Sequence, residues 1–154
     1  MKKIVLALAV AALGAMLVVG MGLSATKKGG TYMLTAKLTA KQEVPKAKGV
    51  PAAATGMFTG KLVGTKLTWK LTFKGLSGKS VGAHIHMGKP GKAGNVIVVL
   101  CPPRCVSGKS GTTTVKKDVR DAIERNLTYV NVHTAKNPAG EIRGQIRAVP
   151  LTIG

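Results

Sequence analysis

The stretch Lys66–Lys74 places Leu67, Trp69, Leu71 and Phe73 at every second position, with Lys66, Thr68, Lys70, Thr72 and Lys74 between them. A period of two is the mark of a β-strand with one face on an apolar interior and the other in water. A helix would scatter the same four side chains around its axis, so these residues are expected in the core of a β-fold. Weaker alternation recurs over 32–39, 55–63, 81–86, 127–134 and 141–148. Breakers separate the strands: Gly64-Thr65, Gly75 to Lys79, Gly88 to Gly94 and Lys136 to Gly140 read as turns. The segment from Lys41 to Ala53 holds Pro45, Gly49 and Pro51 and reads as a loop. Short strands punctuated every ~8–12 residues predict a mainly β chain, a single Greek-key β-sandwich or barrel.

Three segments depart from the alternation. Asn95 to Leu100 is a continuous apolar run, expected as a strand buried on both faces or under a loop. Cys101 to Gly111 reads as an irregular connection. Lys116 to Asn126 puts Val119, Ala122 and Ile123 on one helical stripe, with Val115 a turn earlier. Thr114 suits the N-cap, Asp118 the first turn and Arg125 the end. This predicts one short helix, used as a crossover between strands.

At 154 residues the chain has room for one domain. Met1-Lys2-Lys3, an uncharged run from Ile4 to Leu23, and Ser24-Ala25 follow the order of a signal peptide, expected over residues 1–25. An uncleaved anchor is the alternative, because about 20 apolar residues span a bilayer. After cleavage no membrane span is expected. Residues 26–37 are expected as a mobile leader and the start of the first strand, and 38–150 as the domain. Export to the periplasm or beyond fits the two cysteines, Cys101 and Cys105, which bracket Pro102-Pro103-Arg104. In an oxidising compartment the pair reads as a small-loop disulfide, with metal ligation or a redox dithiol as alternatives.

The formal net charge is +19, with 24 basic residues against five acidic ones. Few aromatics are available to stack bases, and no helix-turn-helix or zinc-finger spacing occurs, so specific nucleic-acid recognition is not expected. A solvated basic surface, adhesion to anionic cell-envelope components, and steering of small anions remain as readings. There is no Gly-x-Ser-x-Gly, phosphate-binding loop or dinucleotide fingerprint.

The three histidines fall in two segments, Ala83-His84-Ile85-His86 and Tyr129-Val130-Asn131-Val132-His133-Thr134. In each, the histidines share phase with polar positions, so they face away from a core that holds Ile85, Val130 and Val132. Residues two apart on a strand share a face, so His84 and His86 can offer two imidazoles to one ion. His133 completes a trio if its strand lies nearby, and three imidazoles suit copper or zinc. A hydrolytic site would also want a general base. Of the five acids, only Glu141 is near the histidines in sequence, and it is alternatively a partner for Arg143. The metal-free reading is a polar cluster of His84, His86, His133, Asn131 and Arg143 that fixes strand register. Gly140 and Gly144 then allow the hairpin.

The Ala83–His86 motif, the Gly/Pro turn after it, Tyr129–Thr134, and Asn137-Pro138-Ala139-Gly140-Glu141-Ile142-Arg143-Gly144 together resemble the CHRD domain, named after chordin. The opening Leu38-Thr39-Ala40-Lys41-Gln42-Glu43-Val44-Pro45 is similar to that family's usual start, and the resemblance runs from about Leu38 to Ile146. It implies a secreted β-sandwich and hands over no reaction, so the chain is expected to act as a binding or structural module, monomeric or weakly associating. A shorter resemblance joins the His-x-His strand and the late Asn-Pro-Ala-Gly-Glu-Ile-Arg turn to the copper side of copper–zinc superoxide dismutases. It implies a single-metal site on His84, His86 and His133, with Arg143 holding an anion and Asn131 and Glu141 around it. The chain lacks the further histidines and the aspartate of the bridged zinc site, so it cannot bind both metals in that way.

Overall fold

The computed structural model describes residues 30–151. The expected signal segment, 1–25, lies outside the described residues. The first strand, β1 (Thr31–Thr39), begins one residue before the expected Tyr32. Tyr32 to Thr39 alternate as expected, and Leu34, Ala36 and Leu38 are buried. After a 3-10 turn (Ala40–Gln42) and a long loop come β2 (Thr55–Val63) and β3 (Lys66–Lys74), at their expected bounds. The chain continues as β4 (Ser80–Met87), β5 (Val96–Cys101), β6 (Lys109–Thr114), α1 (Lys117–Glu124), β7 (Thr128–Thr134), β8 (Ile142–Gln145) and β9 (Arg147–Pro150).

All nine strands join one antiparallel sheet in the order β5-β4-β7-β8-β1-β2-β3-β6, with β9 also on β1. The sheet curls into a barrel that is nearly closed. Val96 to Val99 of β5 and Thr113-Thr114 of β6 line the two sides of one recess at the seam. The Greek-key step is the exchange of partners around β3 and β4. The chain leaves β3 for β4, but β3 pairs with β6 and β4 with β7. α1 carries the chain from β6 to β7, which makes it the expected crossover.

Leu34, Leu38, Phe58, Leu62, Leu67, Leu71, Ile85, Val130, Ile142 and Ile146 are wholly enclosed in the barrel. Each such side chain contributes roughly 1.5–3 kcal/mol of apolar transfer free energy. Trp69 is buried and Phe73 partly so. Val119, Ala122 and Ile123 form the buried stripe of α1. Lys117–Asp121 pair one turn apart on its exposed side, and Arg120–Glu124 pair one turn apart where the helix is largely covered.

Four sequence expectations change. Lys109 to Gly111, read as irregular, begin β6. That strand has no apolar residue to mark it and is held by its ladder to β3. The 95–100 run is not buried on both faces. β5 is an edge strand, with Val96 47% and Val99 59% exposed. Thr114 is not the helix cap; it ends β6, and Lys116 caps α1 without a side-chain hydrogen bond. The final strand is two strands, β8 and β9, broken at the buried Ile146 and both laid along β1.

Candidate metal centre

β4 and β7 lie side by side, with His84 opposite Asn131 and His86 opposite Tyr129. Their alternation sends Ile85, Val130 and Val132 into the barrel and the histidines to its outer face, as expected. That face is nevertheless not open. Every residue of β7 is buried, and His86 and His133 are 8% and 7% exposed. Segments distant in sequence form the cover. The loop after β4 reaches over through Gly94, the 135–141 turn through Pro138 and Ala139, and the loop after β1 through Glu43. Alternation tells which face a side chain takes but not what lies upon it.

The three imidazoles converge. Ring centroids are 4.8 Å apart for His84 and His133, 5.7 Å for His86 and His133, and 5.8 Å for His84 and His86. One nitrogen from each ring can be chosen so that all three lie within 4.8 Å of one another. Their protonation follows from their partners. His86 Nδ1 is 2.9 Å from the Gly94 carbonyl, and His133 Nδ1 is 3.0 Å from the Pro138 carbonyl. A carbonyl only accepts, so both Nδ1 atoms carry the proton and both Nε2 atoms carry lone pairs. His84 Nδ1 lies 3.0 Å from His133 Nε2 and therefore donates to it. His86 Nε2 is buried with no hydrogen-bond partner.

Burial pushes all three histidines below their ordinary titration range. His133 falls to about 4, through burial and the neighbouring His84 and His86, despite its bond to Pro138. For His86 the causes are burial first and the nearby Arg143 charge; for His84, burial and His86. At neutral pH the trio is uncharged, the form in which imidazole ligates a metal. Two of the rings are oriented by Nδ1–H donation to backbone carbonyls, the usual support of metal-binding histidines.

Around the trio is a polar shell. Glu141, wholly buried, accepts from the Ser77 amide at 2.5 Å, the Ser77 hydroxyl at 2.6 Å, the Thr134 hydroxyl, and Asn137 Nδ2 at 3.2 Å. Burial alone would raise its pKa, but the donors from Ser77, Thr134 and Asn137 hold it below the ordinary carboxylate range. It does not pair with Arg143: among the described residues the ion pairs lie on α1. Asn131 Nδ2 donates to Glu43 Oε2 at 3.3 Å and to the Ala139 carbonyl at 3.4 Å. Gly140 has φ +134°, and a β-carbon there would overlap the Asn131 amide, so only glycine closes this turn. Arg143 is 1% exposed and donates from Nη2 to the carbonyls of Lys89 and Lys92 at 3.0 and 2.9 Å. It therefore holds the loop over His86.

The structure thus brings together His84, His86, His133, Asn131, Glu141 and Arg143. Cys101, the last residue of β5, and Cys105, in the β5–β6 connection, stand at disulfide distance, Cα to Cα 5.4 Å. Glu43 was missed, because 88 residues separate it from Asn131. Its one sequence signal is that a chain with five acids places it inside the Gln42-Glu43-Val44-Pro45 opening. Tyr129 was also missed as part of the site. Its ring stacks on His86 at 4.9 Å, and its hydroxyl accepts from the Gly94 amide at 3.1 Å.

A family profile for the CHRD domain matches residues 34–146. No curated protein and no solved structure matches the chain.

Proposed function

The chain belongs to the CHRD domain family, and from that premise we propose an exported binding module built around a three-histidine site for one copper or zinc ion. The observation that carries the metal reading is the lone pair of His86 Nε2, buried and unpartnered in a trio of imidazoles that can each offer a nitrogen within 4.8 Å of the others. An unsatisfied polar atom at such depth costs roughly 1–3 kcal/mol, and a cation among three neutral imidazoles removes that cost. His86 and His133 would ligate through Nε2, with their Nδ1 protons kept on Gly94 and Pro138. His84 would ligate through Nδ1, giving up the proton it now donates to His133. Bound there, the ion supplies Lewis acidity or, for copper, a redox centre. The chain's own contribution is a dry, shaped cover. Glu141 fixes the turn beside His133, and Arg143 with Tyr129 fixes the loop beside His86. No helix among the described residues is long and apolar enough to cross a membrane. The surplus of lysine on the outer surface favours association with anionic envelope components, and such association would weaken with salt.

Metal counting on the purified, untagged chain tests the reading. After loading with copper or zinc and removal of excess, about one ion per chain is expected, lost in His86→Ala and in His84→Ala. No retained ion, or retention unchanged by both substitutions, would leave the histidines as a structural cluster.

A further inference from the structure

A second recess, away from the histidines, has about 800 Å³ of space. One wall is the end of β3 and the loop after it, and the other is the connection that follows Cys101. Its apolar surface comes from Phe73, Leu76 and Val106, the last 64% exposed. Lys74, Lys79 and Arg104 also line it, and no acidic residue does.

Among the described residues none of those three cations has an ion-pair partner. Of the five acids, Glu43 and Glu141 are buried elsewhere, and Asp118, Asp121 and Glu124 sit on the α1 segment. An anionic ligand would supply that counter-charge. Val106 at 64% exposure is a large apolar side chain left in water beside that charge. The combination fits a ligand with an apolar body and one anionic head.

Both walls are fixed in advance. Ser77, in the loop after β3, is clamped to Glu141 through its amide and its hydroxyl. Gly75 has φ +67° and lies so close to Ala53 that a β-carbon would meet its carbonyl oxygen at 2.9 Å. On the facing wall, Ser107 Oγ accepts from the Phe73 amide at 2.8 Å, and the Gly108 amide donates to the Leu71 carbonyl at 2.9 Å. Arg104 has φ +69°, a left-handed conformation that is costly for a residue with a β-carbon. A preformed cavity of 300–1,000 Å³ is about the size that encloses a small organic ligand, and rigid walls reduce the ordering cost of binding.

We propose that this recess binds a single-chain amphiphilic anion, a carboxylate or phosphate monoester on an alkyl body. The alkyl chain lies over Phe73, Leu76 and Val106, and the head is held by Lys79 and Arg104 with Lys74 beside them. This site is independent of the metal reading.

Isothermal titration of the full chain with laurate and with dodecyl phosphate, both below their micelle concentrations, tests it. One saturable site per chain is expected for at least one of them, and the tighter ligand identifies the head group. Dodecyltrimethylammonium and inorganic phosphate are expected not to compete. The double variant Lys79→Gln/Arg104→Gln should weaken binding at least tenfold, and Val106→Glu should abolish it, with unchanged circular dichroism. His86→Ala should bind as the wild type does. No saturable binding of either ligand, several ligands per chain, equal binding of the cationic amphiphile, or one site indifferent to both variants would overturn the proposal.

Discussion

The guanidinium carbon of Arg143 lies 3.4 Å from the centre of the Tyr129 ring. β7, which carries Tyr129, runs between β4 with His86 and β8 with Arg143. Tyr129 thus stands between an imidazole and a buried cation, and it passes the placement of one to the other. The cation–π contact sets the ring, and the ring packs against the histidine.

Arg143→Lys should therefore damage the site although it keeps the charge. Lysine has neither the planar face for Tyr129 nor the fork that reaches the carbonyls of Lys89 and Lys92. We expect a loss of roughly 1–3 kcal/mol in urea unfolding, because the carbonyls of Lys89 and Lys92 lose their buried donor. Amide exchange should be faster across 88–94. A change below about 0.5 kcal/mol would show that the stack holds nothing.

Glu43 and His133 should pull the pH dependence of stability in opposite directions. His133 falls from 6.5 to about 4 on folding, so between these values the unfolded chain binds more protons and stability rises with pH. Burial raises Glu43 from 4.5 to about 7, so the folded chain binds the extra proton and stability falls as pH rises through that window. The two windows overlap and the slopes offset. Glu43→Gln leaves only the histidine slope, so unfolding curves from pH 4.5 to 6.5 should show a steeper gain than in the wild type. Parallel profiles would refute the assignment.

Burial keeps the His133 ring neutral, and the Pro138 carbonyl selects its tautomer. In nitrogen-15 spectra of the metal-free chain at pH 6, His133 should be neutral with its proton on Nδ1. An imidazolium signal titrating near 6.5 would be incompatible with the burial of the ring and with a lone pair on Nε2 that accepts from His84.

Glu141→Ala should be among the more damaging single changes. It strands the donors of Ser77, Thr134 and Asn137 in one step. Each unsatisfied buried group costs roughly 1–3 kcal/mol, and we expect a total of roughly 3–5 kcal/mol by denaturant titration. A loss under about 1 kcal/mol would mean that water replaces the carboxylate.

Reduction of Cys101–Cys105 should be mild. The loop they close is short, so loop entropy predicts about 2 kcal/mol. The reduced chain should keep its far-ultraviolet spectrum and unfold at a lower denaturant concentration. Complete unfolding on reduction would assign the pair a larger role.

What could be read from the sequence follows from what alternation encodes. Leu67, Trp69 and Leu71 could be placed in the core because each faces inward from a strand with its polar neighbours outside. Lys109 to Thr114 could not be seen as a strand, since its cue is a neighbour. Gly111 lies opposite Trp69, whose ring leaves no room for a β-carbon there. The apolar β5 misled in the other direction, because apolar content does not distinguish an edge from an interior position. The histidine face was correctly oriented, but its cover depends on contacts such as Lys48 with Asn137, 89 residues apart, and no local pattern carries that information.

The barrel has one unstitched seam, between β5 and β6. Each of these strands has a single neighbour, β4 and β3 respectively. If the cylinder loosens, it does so by unrolling from that seam, so deuterium should enter β5 and β6 first. β4 and β7 should follow from one side and β3 from the other. The histidine strands β4 and β7 are then one and two steps from the opening. An ion held by β4 and β7 together would act as a rivet on that side of the sheet, and the slowing of exchange it causes in β4 would report its presence without any measurement on the metal.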